Sequence, residues 1–344
     1  MGGAPADPLQ MKSRINIGVV GLGRMGLEYA RFFNSRIAGA RLVAVSDIRK
    51  EIADAAASEL GGVKSYTDYR ELVADPNVEA VVVMTPTKLH KEVVVTAAAA
   101  RKAVFCEKPI SLGLEDATAM KSAVDSSGAF FQLGFMRRFD PGYAMAKRKV
   151  SEGAIGTPCV FKSSSRDKVR PSLDYLRPEN SGGLFIDMGI HDFDLARWFF
   201  GEVKSVFSVG GVLAYPEMRD IGDPDNSLTN LTFSDGRIGM VSLSRNGVFG
   251  YSIQTEIVGT EGTLMVGRER ETPLLVMTKD TIAHDTVPGF YERFEASYVI
   301  QLQNFVDNVN RGRRPAITCD DGIAAQKIAL AATRSWKEGR VVEL

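Results

Sequence analysis

The stretch "INIGVVGLGRMGLEYARFF", residues 15–33, limits the fold more than any other in the chain. A Val/Ile-rich run of strand length ends in glycines and passes directly into residues with helical spacing, where Met25, Ala30, Phe32 and Phe33 supply the apolar positions. The glycines form Gly-x-Gly-x-x-Gly at Gly21, Gly23 and Gly26. Asp47 follows 21 residues after the last, closing a second strand-like run, "RLVAVSD". The glycine pattern alone occurs in many turns. A strand before it, a helix after it and an acidic residue at that distance are what a dinucleotide fingerprint requires. The first glycine permits the tight turn, the second a close approach of pyrophosphate to the backbone, and the third close helix–strand packing. The helix N-terminus then offers free N–H groups and the positive end of its dipole.

Asp47 is placed to accept hydrogen bonds from both ribose hydroxyls, which favours NAD. A 2′-phosphate at about 4 Å from that carboxylate would be repelled by about 1–4 kcal/mol per unit charge, depending on the effective dielectric. Arg49, two residues on, is the counter-signal, because an arginine there can accommodate NADP; a solvated charge at a helix start is its other reading.

Beyond Asp47 the alternation continues. "KEIADAAASEL" reads as a helix stopped by Gly61-Gly62, "AVVVMT" and "KAVFCE" as strands around the helix "KLHKEVVVTAAAARK", and "LEDATAMKSAVDSSG" as a helix before the strand "AFFQLGFM". Strands buried on both faces and alternating with helices predict a doubly wound, mostly parallel sheet. Ligands of such sheets lie at the carboxyl ends of the strands. Thr85, Pro86 and Thr87, with His90 a turn later, follow one strand; Glu107, Lys108 and Pro109 follow the next. Proline stops the ladder there, and Lys108 is expected to face the nicotinamide end of the cofactor cleft; a surface lysine in a loop is its other reading.

From about residue 137 the pattern changes. "VFSVGGVLAY", "SLTNLTFSDG", "RIGMVSLSRNG", "YSIQTEIVG" and "GTLMVG" are strand-like, and "SDGR" at Ser234–Arg237 reads as a hairpin turn, so a large, open, mostly antiparallel sheet is expected. The boundaries read as residues 13–136 for a Rossmann-like nucleotide-binding domain and 137–344 for a second, α/β domain. A last helix near residues 320–337 is expected to pack back on the first. Within the second half, "SGGLFIDMGIHDFDLARWFFG" has helical length, and Asp187, His191 and Asp194 fall within about 60° of one another at ~100° per residue. Histidine is the natural acid–base near neutral pH, and an adjacent carboxylate can orient it. The bland alternative is a helix cap and a satisfied core histidine. A metal site lacks a second nearby His or Cys, and none is expected.

Composition narrows the classes further. Lys+Arg and Asp+Glu are 42 each, which gives no electrostatic reason to bind nucleic acid or an anionic membrane. No apolar run is long enough to span a bilayer. The opening "MGGAPADPLQMKS" lacks a basic segment followed by an apolar core and reads as a disordered leader. Three widely spaced cysteines suggest neither a disulfide framework nor zinc, so a cytoplasmic protein is expected.

Together "GLGRMG", "CEKP" and "GGLFIDMGIHDFD", in that order, resemble the signatures of the glucose-fructose oxidoreductase, inositol dehydrogenase and MocA family. "FQLGFMRRFDPGY" and "YSIQTEIVGTEG" are most similar to its inositol 2-dehydrogenases. The resemblance implies a Rossmann domain followed by an α/β domain whose open sheet pairs into dimers and tetramers. It implies cofactor contacts from Gly21, Gly23, Arg24, Met25, Gly26, Asp47, Ile48, Arg49, Thr85, Pro86, Thr87, His90, Glu107, Lys108 and Arg137. Lys108, Asp187 and His191 would be the catalytic set: His191 as general base oriented by Asp187, and Lys108 stabilising the developing alkoxide or sharing the proton relay. A free lysine near pKa 10.4 is a poor base at neutral pH, so the relay role needs desolvation or a neighbouring cation. Arg166, Tyr251 and Tyr291 would line the substrate site with Lys108, Asp187 and His191. "SSSRDKVRPSLDY" departs from the pattern. The implied activity is NAD-dependent oxidation of myo-inositol or an isomer. The alternatives are a sugar or sugar-derivative dehydrogenase using NAD or NADP, and a non-catalytic dinucleotide sensor.

Overall fold

The computed structural model describes residues 14–268 and 270–344, so the leader reading of "MGGAPADPLQMKS" lies outside the described residues. By internal packing the chain forms two compact units. One comprises the residues up to Glu107 with Ala119–Gly134 and Gln301–Thr318; the other comprises Lys108–Thr118, Phe135–Ile300 and Cys319–Leu344.

The first unit is a six-stranded parallel sheet: β1 (Ile15–Val20), β2 (Ala40–Ser46), β3 (Lys64–Tyr66), β4 (Ala80–Val83), β5 (Ala103–Glu107) and β6 (Phe131–Gly134), in the order β3-β2-β1-β4-β5-β6. That is the Rossmann order, with its switch point between β1 and β4. Every residue of β4 is buried, as are the first four of β5, and such strands need helices on both faces. The helices are α1 (Arg24–Ser35), α2 (Lys50–Glu59), α3 (Tyr69–Ala74), α4 (His90–Ala99) and α5 (Leu114–Ser127). β3 and α3 were not expected from the sequence; both are too short for periodicity to show, and α3 starts on an Asp68 cap that accepts from the Arg70 N–H. The Gln301–Thr318 segment joins this unit because Leu133 N–H donates to Ile317 O at 3.1 Å and Phe305 packs edge-on against Phe105 and Phe130, 5.7 Å from each.

In the second unit, α6 (Pro141–Ser151) starts on Asp140, whose carboxylate accepts from the Gly142 and Tyr143 N–H groups. There follow β7 (Pro158–Arg166), α7 (Leu173–Leu176), α8 (Pro178–Ser181), α9 (Gly183–Asp187), α10 (Ile190–Phe200), β8 (Val203–Gly211), β9 (Asn226–Phe233), β10 (Ile238–Ser244), β11 (Ser252–Gly259) and β12 (Thr263–Gly267). A small hairpin of β13 (Val276–Met277) and β14 (Ile282–Ala283) precedes α11 (Phe290–Asn310), of which this unit holds the part up to Ile300, then α12 (Cys319–Glu338) and β15 (Val342–Glu343). The large sheet runs β12-β11-β7-β10-β9-β8-β15, antiparallel except for the β7–β10 pair. The "SDGR" turn joins β9 to β10 as expected, with Phe233 N–H donating to Arg237 O. Burial alternates along β9 and β10, so one face of the sheet is covered and the other open. On the covered side Phe161, Phe200 and Phe233 pack ring to ring at 5.8 and 5.1 Å, each worth about 1.5–3 kcal/mol of burial. The open side carries Val209, Leu228, Ile238 and Met265. Helix α12 packs on β8 and α10 within this unit, and its buried Gln326 donates to Ser111 O at 2.8 Å.

Candidate active site

In the first unit, β1 hands over to α1 through the three glycines. Gly21 has φ +92°, and a Cβ there would lie 2.7 Å from Met84 and Thr85 backbone atoms. A Cβ on Gly26 would lie 1.9 Å from Gly21 O, so turn and helix touch backbone to backbone. Gly23 is the opposite case: a Cβ there would meet nothing within 4 Å, and as N-cap of α1 it supplies no side-chain cap. The first turn of α1 therefore presents N–H groups to open space, flanked by exposed Arg24 and half-buried Met25. Asp47 is tied to the same turn: Oδ2 accepts from Leu22 N–H at 3.0 Å, and Oδ1 from Arg49 N–H at 3.0 Å and Nε at 3.4 Å. Ile48 is 88% exposed. At the end of β4, Thr85 Oγ1 is buried with no partner among the described residues. A glycine cradle, open helix N–H groups, a strand-end carboxylate and an orphaned hydroxyl fit a dinucleotide; Pro86 and Thr87 continue that rim.

Two residues expected to touch the cofactor turn inward. His90 is buried, and its Nε2 lies 3.0 Å from Thr85 O, so it braces that turn. Glu107 accepts from the fully buried Tyr29 hydroxyl, which Gln301 Nε2 approaches at 2.7 Å, and so it ties β5 to α1.

Lys108 belongs to the second unit, so it meets the Asp187 and His191 region within one unit rather than between two halves. Its Nζ donates to Asp187 O at 2.9 Å. The expected single stripe of Asp187, His191 and Asp194 does not form. The helix breaks at Met188 and Gly189, leaving Asp187 at the end of α9 and His191 in the first turn of α10. A Cβ on Gly189 would lie 2.8 Å from Leu243 Cδ1 and Phe185 O, which leaves no room for a side chain at the break. Asp194 is spent elsewhere, on Arg138 Nε at 2.9 Å and Nη2 at 2.5 Å, and the same guanidinium reaches Asp321.

The expected pairing of Asp187 with His191 is replaced by other partners. Asp187 Oδ1 accepts from the Tyr175 hydroxyl at 2.9 Å and Oδ2 from Arg245 Nη2 at 3.0 Å. Burial pushes the Asp187 carboxyl up, but Arg245, Lys108 and Tyr175 more than offset it and hold its pKa below the usual value. His191 is 5% exposed, stands edge-on to Phe135 with ring centroids 6.0 Å apart, and leaves Nδ1 buried without a partner among the described residues. Burial first, then the Lys108 and Arg137 charges, push its pKa well below the ordinary 6.5, so the imidazole is neutral.

Arg137 enters as a buried cation rather than an exposed cofactor contact. It is 2% exposed, with Nη1 on Asp192 Oδ1 at 2.9 Å and Nη2 on Ser165 Oγ at 3.2 Å. Tyr251 is buried edge-on to Phe294, its phenol pKa raised by burial, and lies within electrostatic reach of Arg137 and Asp167. Arg166 bonds Ser164 Oγ at the end of β7, and Tyr291 is half-buried in the first turn of α11. Asp167, Tyr175 and Arg245 were missed from sequence. The first two lie in the divergent "SSSRDKVRPSLDY", and the available signal for the third was a charged residue at the end of "SLSR".

Two parts of one family match the chain: its NAD-binding Rossmann fold over residues 15–135 and its C-terminal alpha/beta domain over residues 147–344. The chain is 40% identical to the myo-inositol 2-dehydrogenase of Thermotoga maritima, with 96% of this chain and 98% of that one aligned. It is 38% identical to the scyllo-inositol 2-dehydrogenase (NAD(+)) of Bacillus subtilis, over 97% of each chain. The crystal structure of scyllo-inositol dehydrogenase from Lactobacillus casei with bound NAD(H) and scyllo-inositol superposes with a TM-score of 0.91 at 33% identity, covering 96% of this chain and 99% of that one. The chain belongs to the glucose-fructose oxidoreductase, inositol dehydrogenase and MocA family of oxidoreductases.

Proposed function

We propose that the protein is an NAD-dependent inositol 2-dehydrogenase that oxidises a ring CH–OH of myo-inositol or an isomer to the ketone. The observation that carries the chemistry is His191: buried, neutral, with an unpartnered ring nitrogen, and within electrostatic reach of Lys108. A neutral imidazole accepts a hydroxyl proton; an imidazolium would not. In this reading His191 takes that proton on the ring nitrogen that carries no hydrogen. The Lys108 ammonium, fixed by its bond to Asp187 O, stabilises the oxygen as charge develops on it. Asp187 supplies a fixed anion to this set. Arg166, Tyr251 and Tyr291 remain candidates for the polyol's other hydroxyls.

Gly21, Gly23, Arg24, Met25 and Gly26 would hold the pyrophosphate, Asp47, Ile48 and Arg49 the ribose, and Thr85, Pro86 and Thr87 the rim of the site. Bound NAD would accept the hydride that leaves the same carbon. The Asp47 carboxylate, fixed on the glycine turn, supports NAD over NADP. A cytoplasmic dimer or tetramer is part of this reading, and the exposed cross-strand pair Val209–Leu228 lies on the open face that such pairing would bury.

The test is NAD reduction across a panel of inositols and monosaccharides, repeated with NADP. An inositol isomer should give the highest kcat/KM, with NAD. Lys108→Ala and His191→Ala should keep NAD affinity within about threefold and lose about 10²–10⁴ in kcat. No oxidation of any polyol by the unmodified protein would refute the reading.

A further inference from the structure

Tyr175 closes "SSSRDKVRPSLDY", the stretch that departs from the family pattern, and it reaches the residue that holds Lys108. Lys108 Nζ donates to Asp187 O at 2.9 Å, and the Tyr175 hydroxyl donates to Asp187 Oδ1 at 2.9 Å. The ammonium and the phenol thus hang on one residue, the first on its main chain and the second on its side chain. Arg245 also donates to that carboxylate, but Arg245 is fully buried whereas Tyr175 is 49% exposed. Of these two donors, Tyr175 is the one with surface left for a solute. The Asp187 charge, and after it burial, raises the pKa of the phenol, so the proton stays on the bond to Asp187. A phenol oxygen that donates once still has lone pairs with which to accept.

The placement of Tyr175 is held from a separate part of the chain. Leu176, its neighbour in α7, is buried with Met218 and Ile221 in a small apolar cluster, and Leu173 packs against that cluster from the same helical turn. At ~100° per residue Tyr175 falls on a different side of the turn from both leucines. Met218 and Ile221 belong to the connection between β8 and β9. The fully buried Asp225 pins that connection, its carboxylate accepting from the N–H groups of Leu213, Ala214 and Tyr215 at 2.8, 2.9 and 2.7 Å. Arg170 adds a tether from the divergent stretch, with Nε on Glu217 at 3.1 Å and its guanidinium 5.4 Å above the Tyr215 ring.

We propose that Tyr175 is a specificity-determining residue of the polyol site: its hydroxyl, held on Asp187, accepts a hydrogen bond from the ring hydroxyl next to the one that Lys108 holds. The ligand class is a cyclitol with neighbouring hydroxyls. Inositol isomers differ only in the side of the ring on which each hydroxyl stands. One acceptor fixed beside Lys108 therefore favours the isomers that bring the next hydroxyl to it. The inference rests on the dehydrogenase reading and gives the divergent stretch a part in choosing the isomer.

Tyr175→Phe in the full-length protein tests this, because it keeps the ring of a half-exposed residue and removes the hydroxyl alone. The readouts are kcat/KM over the inositol isomers and over deoxy-inositols that each lack one hydroxyl, with NAD affinity measured by calorimetry. On the best isomer kcat/KM should fall about tenfold, the ratio of best to next isomer at least about threefold, and NAD affinity should stay within about threefold. One deoxy-inositol, the one lacking the hydroxyl that meets Tyr175, should already be a poor substrate of the unmodified protein. Tyr175→Phe should cost it no more than about a further twofold, because two changes that remove the same bond do not add. A loss through the fold or through Asp187 alone would fall on every isomer and every deoxy-inositol alike. That uniform loss, or no loss, overturns the proposal and leaves the dehydrogenase reading in place. An unmodified protein that oxidises no polyol refutes both.

Discussion

Replacing Asp223 by asparagine should change how stability depends on pH, by an amount that the site itself sets. Asp223 is 4% exposed, and its Oδ2 accepts from Leu184 N–H at 2.9 Å at the start of α9. Burial raises its pKa from 3.8 to about 6, despite the pull of Arg245 and of that N–H. A carboxyl whose folded pKa lies above its unfolded value contributes stability in full below pH 3.8 and loses it as pH rises through about 6. The gap is about two pKa units, so at 1.36 kcal/mol each the native protein forfeits about 3 kcal/mol from this one group on going from acid to mildly alkaline solution. Asparagine cannot titrate there, yet it keeps an oxygen for the Leu184 N–H. The stability of Asp223→Asn minus that of the unmodified protein should therefore rise by about 3 kcal/mol between about pH 4 and about pH 8. Groups common to both proteins cancel in that difference. Urea unfolding followed by tryptophan fluorescence is the assay, since both tryptophans, Trp198 and Trp336, lie in the second unit with Asp223. Stability curves that stay parallel within about 0.5 kcal/mol across that range would refute the reasoning.

Two further outcomes concern the nucleotide cradle. Gly26→Ala sets a Cβ 1.9 Å from Gly21 O, a backbone atom with no rotamer to yield; NAD affinity measured by calorimetry should fall at least about tenfold, and unchanged affinity would mean that the turn does not hold the pyrophosphate. Asp47→Ala removes both the ribose acceptor and the tether to Leu22 N–H, so the NADP-to-NAD ratio of kcat/KM should rise about tenfold or more; a constant ratio would take Asp47 out of cofactor discrimination.

Local pattern carried a good deal of this protein. The strand–glycine–helix junction, the acidic residue closing β2 and the Val-rich β4 and β5 are written in contiguous residues, because a strand buried on both faces must be apolar throughout and the turn must be glycine where backbones touch. The hairpin at Ser234–Arg237 was legible for the same reason. The Asp187–His191–Asp194 stripe was not, since it assumed one unbroken helix. At that break Leu243, 54 residues beyond Gly189 on another strand (243 − 189), leaves no room for a Cβ on Gly189, a contact that no local pattern reports.

Sequence by itself determined the presence of a nucleotide-binding sheet, an open antiparallel sheet and the residue types from which acid–base chemistry could be built. Tertiary structure decided what each charge is paired with. Arg138 takes Asp194, Arg137 takes Asp192, and Arg245 with Tyr175 takes Asp187, so that of the polar groups on that segment His191 keeps a buried nitrogen unpartnered among the described residues. The reason is physical: periodicity reports which face of an element is buried, whereas the partner of a buried charge comes from elements far apart in the chain, and only packing brings them within hydrogen-bond reach.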